Sequence, residues 1–161
     1  MVVILELLTM AGCSIIAFQD FRERAVLWIC FPIVALLLAG IHISHVGTNA
    51  FVFFVACNVI LVSCVLLILF LVTKYIFKKD FLDVSFGSGD MLFMFAFALG
   101  FPTVTFILLF VGSICFSLIA FAFLRLIKKA ETVPLAGLMG IYLIAIILLA
   151  HLPFSPSLYI L

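Results

Sequence analysis

Charge is what this chain has least of. Only 9% of its 161 residues are Asp, Glu, Lys or Arg, where a soluble globular domain carries about a quarter. Hydrophobic residues make up 69%, and the mean hydropathy is +1.58. An ordinary soluble domain is excluded, and the composition predicts an all-α integral membrane protein. Neither a linker, a low-complexity stretch nor an internal repeat divides residues 1–161, so a single membrane domain is expected. The cysteines Cys13, Cys30, Cys57, Cys64 and Cys115 include no CxxC pair. That leaves no signature of a zinc ribbon or a disulfide framework, and they read as small buried apolar residues. No basic, aromatic-interleaved surface points to nucleic acid, and the net charge of +1 selects no partner. Neither a metal nor a cofactor is expected.

What the chain does have is long apolar runs, at residues 2–19, 26–43, 51–73, 91–124 and 135–152. "LLTMAGC" before Cys13 looks like the end of a lipoprotein signal, but no Lys or Arg precedes it and Glu6 interrupts it. Residues 2–19 therefore read as a retained first helix. The run 91–124 would make a helix of about 50 Å, well beyond a hydrocarbon core of roughly 30 Å. It contains Pro102, which removes a backbone donor and disfavours helix at Phe101. A break there predicts six spans, at 2–19, 26–43, 51–73, 86–101, 103–124 and 135–152, with Asp90 in the first turns of the fourth.

Positive charge supports that count. With six spans, every Lys and Arg falls in the alternate loops 20–25, 74–88 and 125–134: Arg22, Arg24, Lys74, Lys78, Lys79, Arg125, Lys128 and Lys129. The opposite loops, 44–50 and 100–103, and both termini carry none. The positive-inside rule then makes the first set cytoplasmic and both termini non-cytoplasmic. With 91–124 as one span, the cluster at Arg125 would fall on the wrong side.

Two cytoplasmic acids stand at span ends with apolar residues around them. Asp20 closes the first span in "IIAFQDFRERAV", and Asp90 opens the fourth in "GSGDMLF". Membrane burial favours pairing of such groups. Two carboxylates held close share a proton and titrate in two separated steps. One can then take a proton from an attacking water while the other, protonated, assists the carbonyl oxygen. Gly87 and Gly89 would let an extended substrate backbone approach. Each acid also has a plainer reading: Asp90 as a helix cap, and Asp20 as an interfacial acid paired with Arg24 at i+4.

Taken together, these motifs resemble the type IV prepilin peptidase family, membrane aspartic peptidases of the GxGD type. Asp20, Arg22, Arg24 and Val26 match a segment resembling D-x-R-x-R-x-I-P-N, and Gly87, Gly89 and Asp90 match GxGD. "TVPLAGL" looks like a degraded I-P-F-G-P patch with Pro134 retained, although proline in a first helical turn explains it equally well. The resemblance implies catalytic roles for Asp20 and Asp90. It also implies removal of short cationic leaders from pilin-like precursors at the cytoplasmic face of the inner membrane, in type IV pilus assembly or secretion. Departures are Val26-Leu27-Trp28 in place of I-P-N, and Leu92 where a Lys often follows GxGD. The cysteine-bearing insert of longer members is missing, which leaves N-methylation of the new amino terminus outside the expectation. Presenilin-like proteases share GxGD, but their longer architecture and PAL motif are absent.

The remaining polar residues carry weaker expectations. Asp80 and Asp83 read as solvated loop acids, with recognition of a cationic leader as a second role. Phe18, Phe21 and Phe86 are candidates to wall the acid site. His42, His45 and His151 read as interfacial residues on the outer side rather than metal ligands, and Glu6 has no evident role. The alternative function is a non-enzymatic transporter subunit or assembly component using Asp90 as a proton or cation site. It lacks a continuous polar path, because spans three and five offer only Asn58 and scattered serines.

Overall fold

A computed structural model describes residues 1–77, 87–127, 133–152 and 157–159. Among them the fold is entirely helical: α1 (Val2–Glu23), α2 (Cys30–Val46), α3 (Thr48–Leu71), α4 (Ser88–Ala98), α5 (Thr103–Ile127) and α6 (Leu135–Ala150). α3 continues into a π-helical turn, Val72–Phe77. Among the described residues three helical stretches are long and apolar enough to cross a membrane: Val2–Glu23, Thr48–Tyr75 and Thr103–Leu126, with mean hydropathies of 2.0, 3.0 and 2.7. Only 17–22% of their most apolar stretches is buried within the protein. Exposed apolar surface of that extent marks contact with lipid rather than water.

Helix ends follow local chemistry. α1 was expected to stop at residue 19 but runs one turn further, enclosing Asp20, and closes on Arg24 in the left-handed region at φ 54°. Its polar last turn goes on forming backbone hydrogen bonds past the end of the apolar run. The backbone N–H of Leu27 then donates to Gln19 Oε1 (3.0 Å), drawing the following loop back onto α1. α2 begins at Cys30 rather than at residue 26. Between α2 and α3 stands one residue, Gly47, at φ 79° and ψ 164°, a conformation that suits glycine. α4 ends at Ala98 and α5 begins at Thr103, on either side of Pro102.

The packing order explains why α4 has only 11 residues. α1 packs on α2, α2 on α3, α3 on α5, α5 on α6, and α6 back on α1 in the most extensive contact of all. These five helices close a ring, and α4 stands inside it against α2, α3, α5 and α6. Phe93, Met94, Ala96, Phe97 and Ala98 are all buried there. Phe97 stacks edge-on against Phe101 and Phe106 at 5.7 and 5.9 Å. Surrounded by protein, α4 can be short and can end in irregular backbone, which lipid would not tolerate.

Ring closure depends on small residues where α1 meets α6. A Cβ on Gly140 would stand 3.3 Å from the Cys13 carbonyl oxygen, and one on Gly137 would stand 3.3 Å from Ala17 Cα. Cys13 is fully buried, but Cys64 and Cys115 are exposed and Cys30 and Cys57 half-buried. Burial as expected thus holds for Cys13 alone. Cys64 and Cys115 sit on outward faces of apolar helices, where a small weakly polar side chain needs no burial, and Cys30 packs partly buried against the core.

Candidate active site

Asp20 and Asp90 are brought to one place by a third helix. α6 starts after Pro134, and its first-turn N–H groups have no intrahelical acceptor. The Gly137 N–H donates to Asp20 Oδ2 at 2.7 Å, across 117 positions of chain. The Ala136 N–H donates to Asp90 Oδ1 at 2.8 Å, across 46 positions. Two consecutive amides therefore hold two carboxylates side by side, close enough that the charge of one bears on the other. The N-terminal dipole of α6 adds about 0.3–1 kcal/mol in favour of negative charge at this point.

Each acid reaches the site from its own helix. Asp20 is half-buried in the last turn of α1, and the positive charge of Arg24, four residues on, acts on it. Asp90 is half-buried in the first turn of α4, whose N-cap is Gly87. Its carboxylate lies back over the Gly87 backbone, in the manner of an acid three residues into a helix. Gly87, not Asp90, is the N-cap of α4, and Asp90 stands inside the first turn, where its carboxylate turns both to its own helix start and toward Asp20.

The motif glycines differ from one another. Gly87 is exposed and has an ordinary extended backbone (φ −72°, ψ 135°). A Cβ there would meet Asp90 Oδ2 at 3.0 Å, so its missing side chain leaves the carboxylate open. Gly89, expected to admit substrate, instead faces the Phe31 ring, whose Cζ lies 3.3 Å from where a Cβ would be. Phe31 is 2% exposed and is the aromatic that lies against the motif. Phe18 and Phe21 point outward at 61% and 39% exposure, and Phe86 lies outside the described residues. Arg22 is exposed, with its guanidinium 5.7 Å from the Phe18 ring centre. Pro134 is buried and immediately precedes α6. Asp80 and Asp83 lie outside the described residues, as do Lys78, Lys79, Lys128, Lys129 and Glu131.

Gly137 is the position in the candidate site that motif matching passes over. It lies within "TVPLAGL", where attention falls on Pro134. A Cβ at Gly137 would stand 3.0 Å from Asp20 Oδ2 and 3.2 Å from Asp20 Cβ. Nothing in the local sequence shows which α6 amide meets Asp20; only the packing of α6 on α1 does.

At the opposite end of the ring, His42, Asn58 and Glu6 make contacts that the local sequence does not show. His42 is not interfacial but 0% exposed, and its Nδ1–H donates to the Leu99 carbonyl at 2.9 Å. The reason is that α4 ends inside the ring and its carbonyls need donors. Asn58, also 0% exposed, donates from Nδ2 to the Ala98 and Phe101 carbonyls, both at 2.9 Å. Glu6 pairs with His151, Oε2 to Nε2 at 3.3 Å, which ties the N-terminal part of α1 to the C-terminal end of α6. His45 stacks on Tyr159 with ring centres 4.1 Å apart. Among the described residues no group of His, Cys, Asp or Glu is arranged to hold a metal ion. Compared with family models, curated proteins and solved structures, the chain finds no match in any of the three.

Proposed function

We propose that this protein is a membrane aspartic endopeptidase that removes short cationic leader peptides from pilin-like precursors, with Asp20 and Asp90 as its catalytic pair. The observation that carries this reading is the hydrogen bonding of both carboxylates to the consecutive amides of Ala136 and Gly137. Like charges so close do not both ionise cheaply, and one proton shared between them is the stable state. The ionised carboxylate accepts a proton from water as its oxygen attacks the peptide carbonyl carbon. The protonated carboxylate gives its proton to the carbonyl oxygen, producing a neutral gem-diol. Collapse of the diol breaks the C–N bond, returns a proton to the pair and delivers one to the departing amine. Water is the only co-reactant.

The bilayer arrangement belongs to the same proposal. All six helices act as membrane-spanning elements, with α4 completing its passage inside the ring rather than against lipid. Arg22, Arg24, Lys74 and Arg125 lie in or beside the loops assigned to the cytoplasm, and no Lys or Arg occurs in the opposite loops. The pair then opens toward the cytoplasmic face of the inner membrane, and both termini lie across it. The transporter alternative is weakened because Asn58, the chief polar residue within the spans, has its donors engaged by the end of α4.

Co-expression with a pilin-like precursor tests the reading, with leader removal followed by mass. Wild type should cleave, and Asp20→Asn and Asp90→Asn should each abolish cleavage at normal membrane levels. Cleavage that survives either substitution removes that residue from catalysis, and survival in both sinks the mechanism.

A further inference from the structure

The segment Leu99–Pro102 breaks the helical backbone inside the ring. Phe101 is 1% exposed, and Gly100 and Pro102 are buried too. The Ala96 and Phe97 carbonyls are satisfied by the N–H groups of Leu99 and Gly100 at 3.3 and 3.0 Å. The Pro102 carbonyl starts α5 by accepting from Phe106 at 2.7 Å. Pro102 has no N–H to offer, so other donors must serve the carbonyls around the break. Asn58 takes Ala98 and Phe101 from α3, and His42 takes Leu99 from α2.

This clamp leaves groups unpaired that an apolar pair would not. Asn58 Oδ1 and His42 Nε2 are buried with no hydrogen-bond partner among the described residues. A polar atom buried without a partner forfeits the hydrogen bonds it made to water. What the cost secures is the position of α4. Asp90 stands eight residues before Ala98, about 12 Å along a rigid helix at 1.5 Å per residue. Asp90 thus occupies one end of a short rod whose other end is held by two side chains of the ring.

We propose that Asn58 and His42 are positioning residues, which fix the height and rotation of α4 and thereby the geometry at which Asp90 meets Asp20. The inference rests on the peptidase reading for its kinetic consequence, but the pinning itself does not depend on it. Without the clamp, α4 can slide or turn to seek other donors, and the spacing of the two carboxylates changes with it. That spacing sets how far apart the two titration steps of the pair lie, so the pH profile of cleavage reports it.

The test has two arms. In the first, Asn58→Leu and His42→Phe are purified in detergent and assayed for leader cleavage, with Asp90→Asn alongside. The expected result is a fall in kcat of at least ten-fold with KM little changed and a displaced or narrowed pH optimum. His42→Gln, which keeps an N–H donor, should recover part of the rate. In the second arm, Phe31→Cys and Gly89→Cys are combined in a background without the native cysteines and bridged by a short bifunctional thiol-reactive crosslinker, a bis-maleimide that adds one thiol to each ring. Bridging should fall several-fold when Asn58→Leu is added, because α4 no longer holds its height against α2. Unchanged bridging overturns the pinning whatever the enzyme does. Reduced bridging with a normal kcat and pH profile overturns the positioning role. An Asp90→Asn protein that still cleaves overturns the peptidase reading, while the bridging arm continues to decide the pinning.

Discussion

Replacing Gly137 by alanine is the most revealing single perturbation of the site. The added Cβ would stand 3.0 Å from Asp20 Oδ2, 3.2 Å from Asp20 Cβ and 3.3 Å from Ala17 Cα. Two of these atoms are fixed to the α1 backbone, so no flexible tip can swing aside to make room. Either α6 retreats by a few tenths of an ångström or Asp20 rotates away, and both lengthen the 2.7 Å bond from the Gly137 amide. A hydrogen bond to a charged group contributes about 1.5–3 kcal/mol, and uncorrected overpacking costs about 1–3 kcal/mol. Retreat exchanges one cost for the other, and alanine recovers up to ~1 kcal/mol in helix propensity. A net loss of about 1–2 kcal/mol in stability follows. Cleavage should suffer more, by at least about ten-fold, because misplacement of one carboxylate acts directly on the transition state. Gly140→Ala is the control: its Cβ would meet the Cys13 carbonyl oxygen at 3.3 Å on the same seam, away from either carboxylate. Thermal midpoints in detergent and precursor cleavage by mass, measured on both variants, separate the two effects. Wild-type cleavage by Gly137→Ala would refute the argument, as would equal losses in both variants that merely track stability.

Cleavage should show a single pH optimum, falling on the acid side as the second carboxylate takes up a proton and on the alkaline side as the shared proton leaves; a rate rising to a plateau on either side excludes a proton-sharing pair. At the end of the ring away from the acid pair, Glu6 Oε2 stands 3.3 Å from His151 Nε2. Glu6→Gln, which supplies an N–H donor, should shift stability by less than about 1 kcal/mol. Glu6→Lys should lower the thermal midpoint distinctly at a pH where His151 is charged, and equal midpoints for the two variants would remove the pairing. In detergent, a lipophilic maleimide should label Cys64 and Cys115 in the folded protein and reach Cys13 only after unfolding, as mass spectrometry of peptides will show; early labelling of Cys13 contradicts ring closure between α1 and α6.

The sequence was most legible where a property depends on few neighbouring residues. Apolar runs betrayed the helices because a bilayer-facing helix must be greasy along its whole length. Pro102 marked the gap between α4 and α5 because a missing N–H acts locally. Helix lengths were less legible: α1 extends through Asp20 to Glu23, and α4 stops at Ala98, short of the expected 101. The first overran because polar residues can continue a helix beyond its apolar stretch. The second fell short because α4 is enclosed by protein and its carbonyls found side-chain donors.

By itself, then, the sequence determined a helical, membrane-associated class, the break at Pro102, and two acids at the mouths of apolar segments. Tertiary structure alone decided that Asp20 and Asp90 meet, because their meeting is arranged by amides at residues 136 and 137 that neither acid's neighbourhood contains. It also decided that Asn58 and His42 serve the end of α4, and that Glu6 answers to His151. Each of these contacts joins helices distant in the chain, and they coincide only when the ring closes around α4. The physical reason is that a polar group withdrawn wholly or partly from water takes its partner from wherever packing supplies one, and packing is a property of the whole fold.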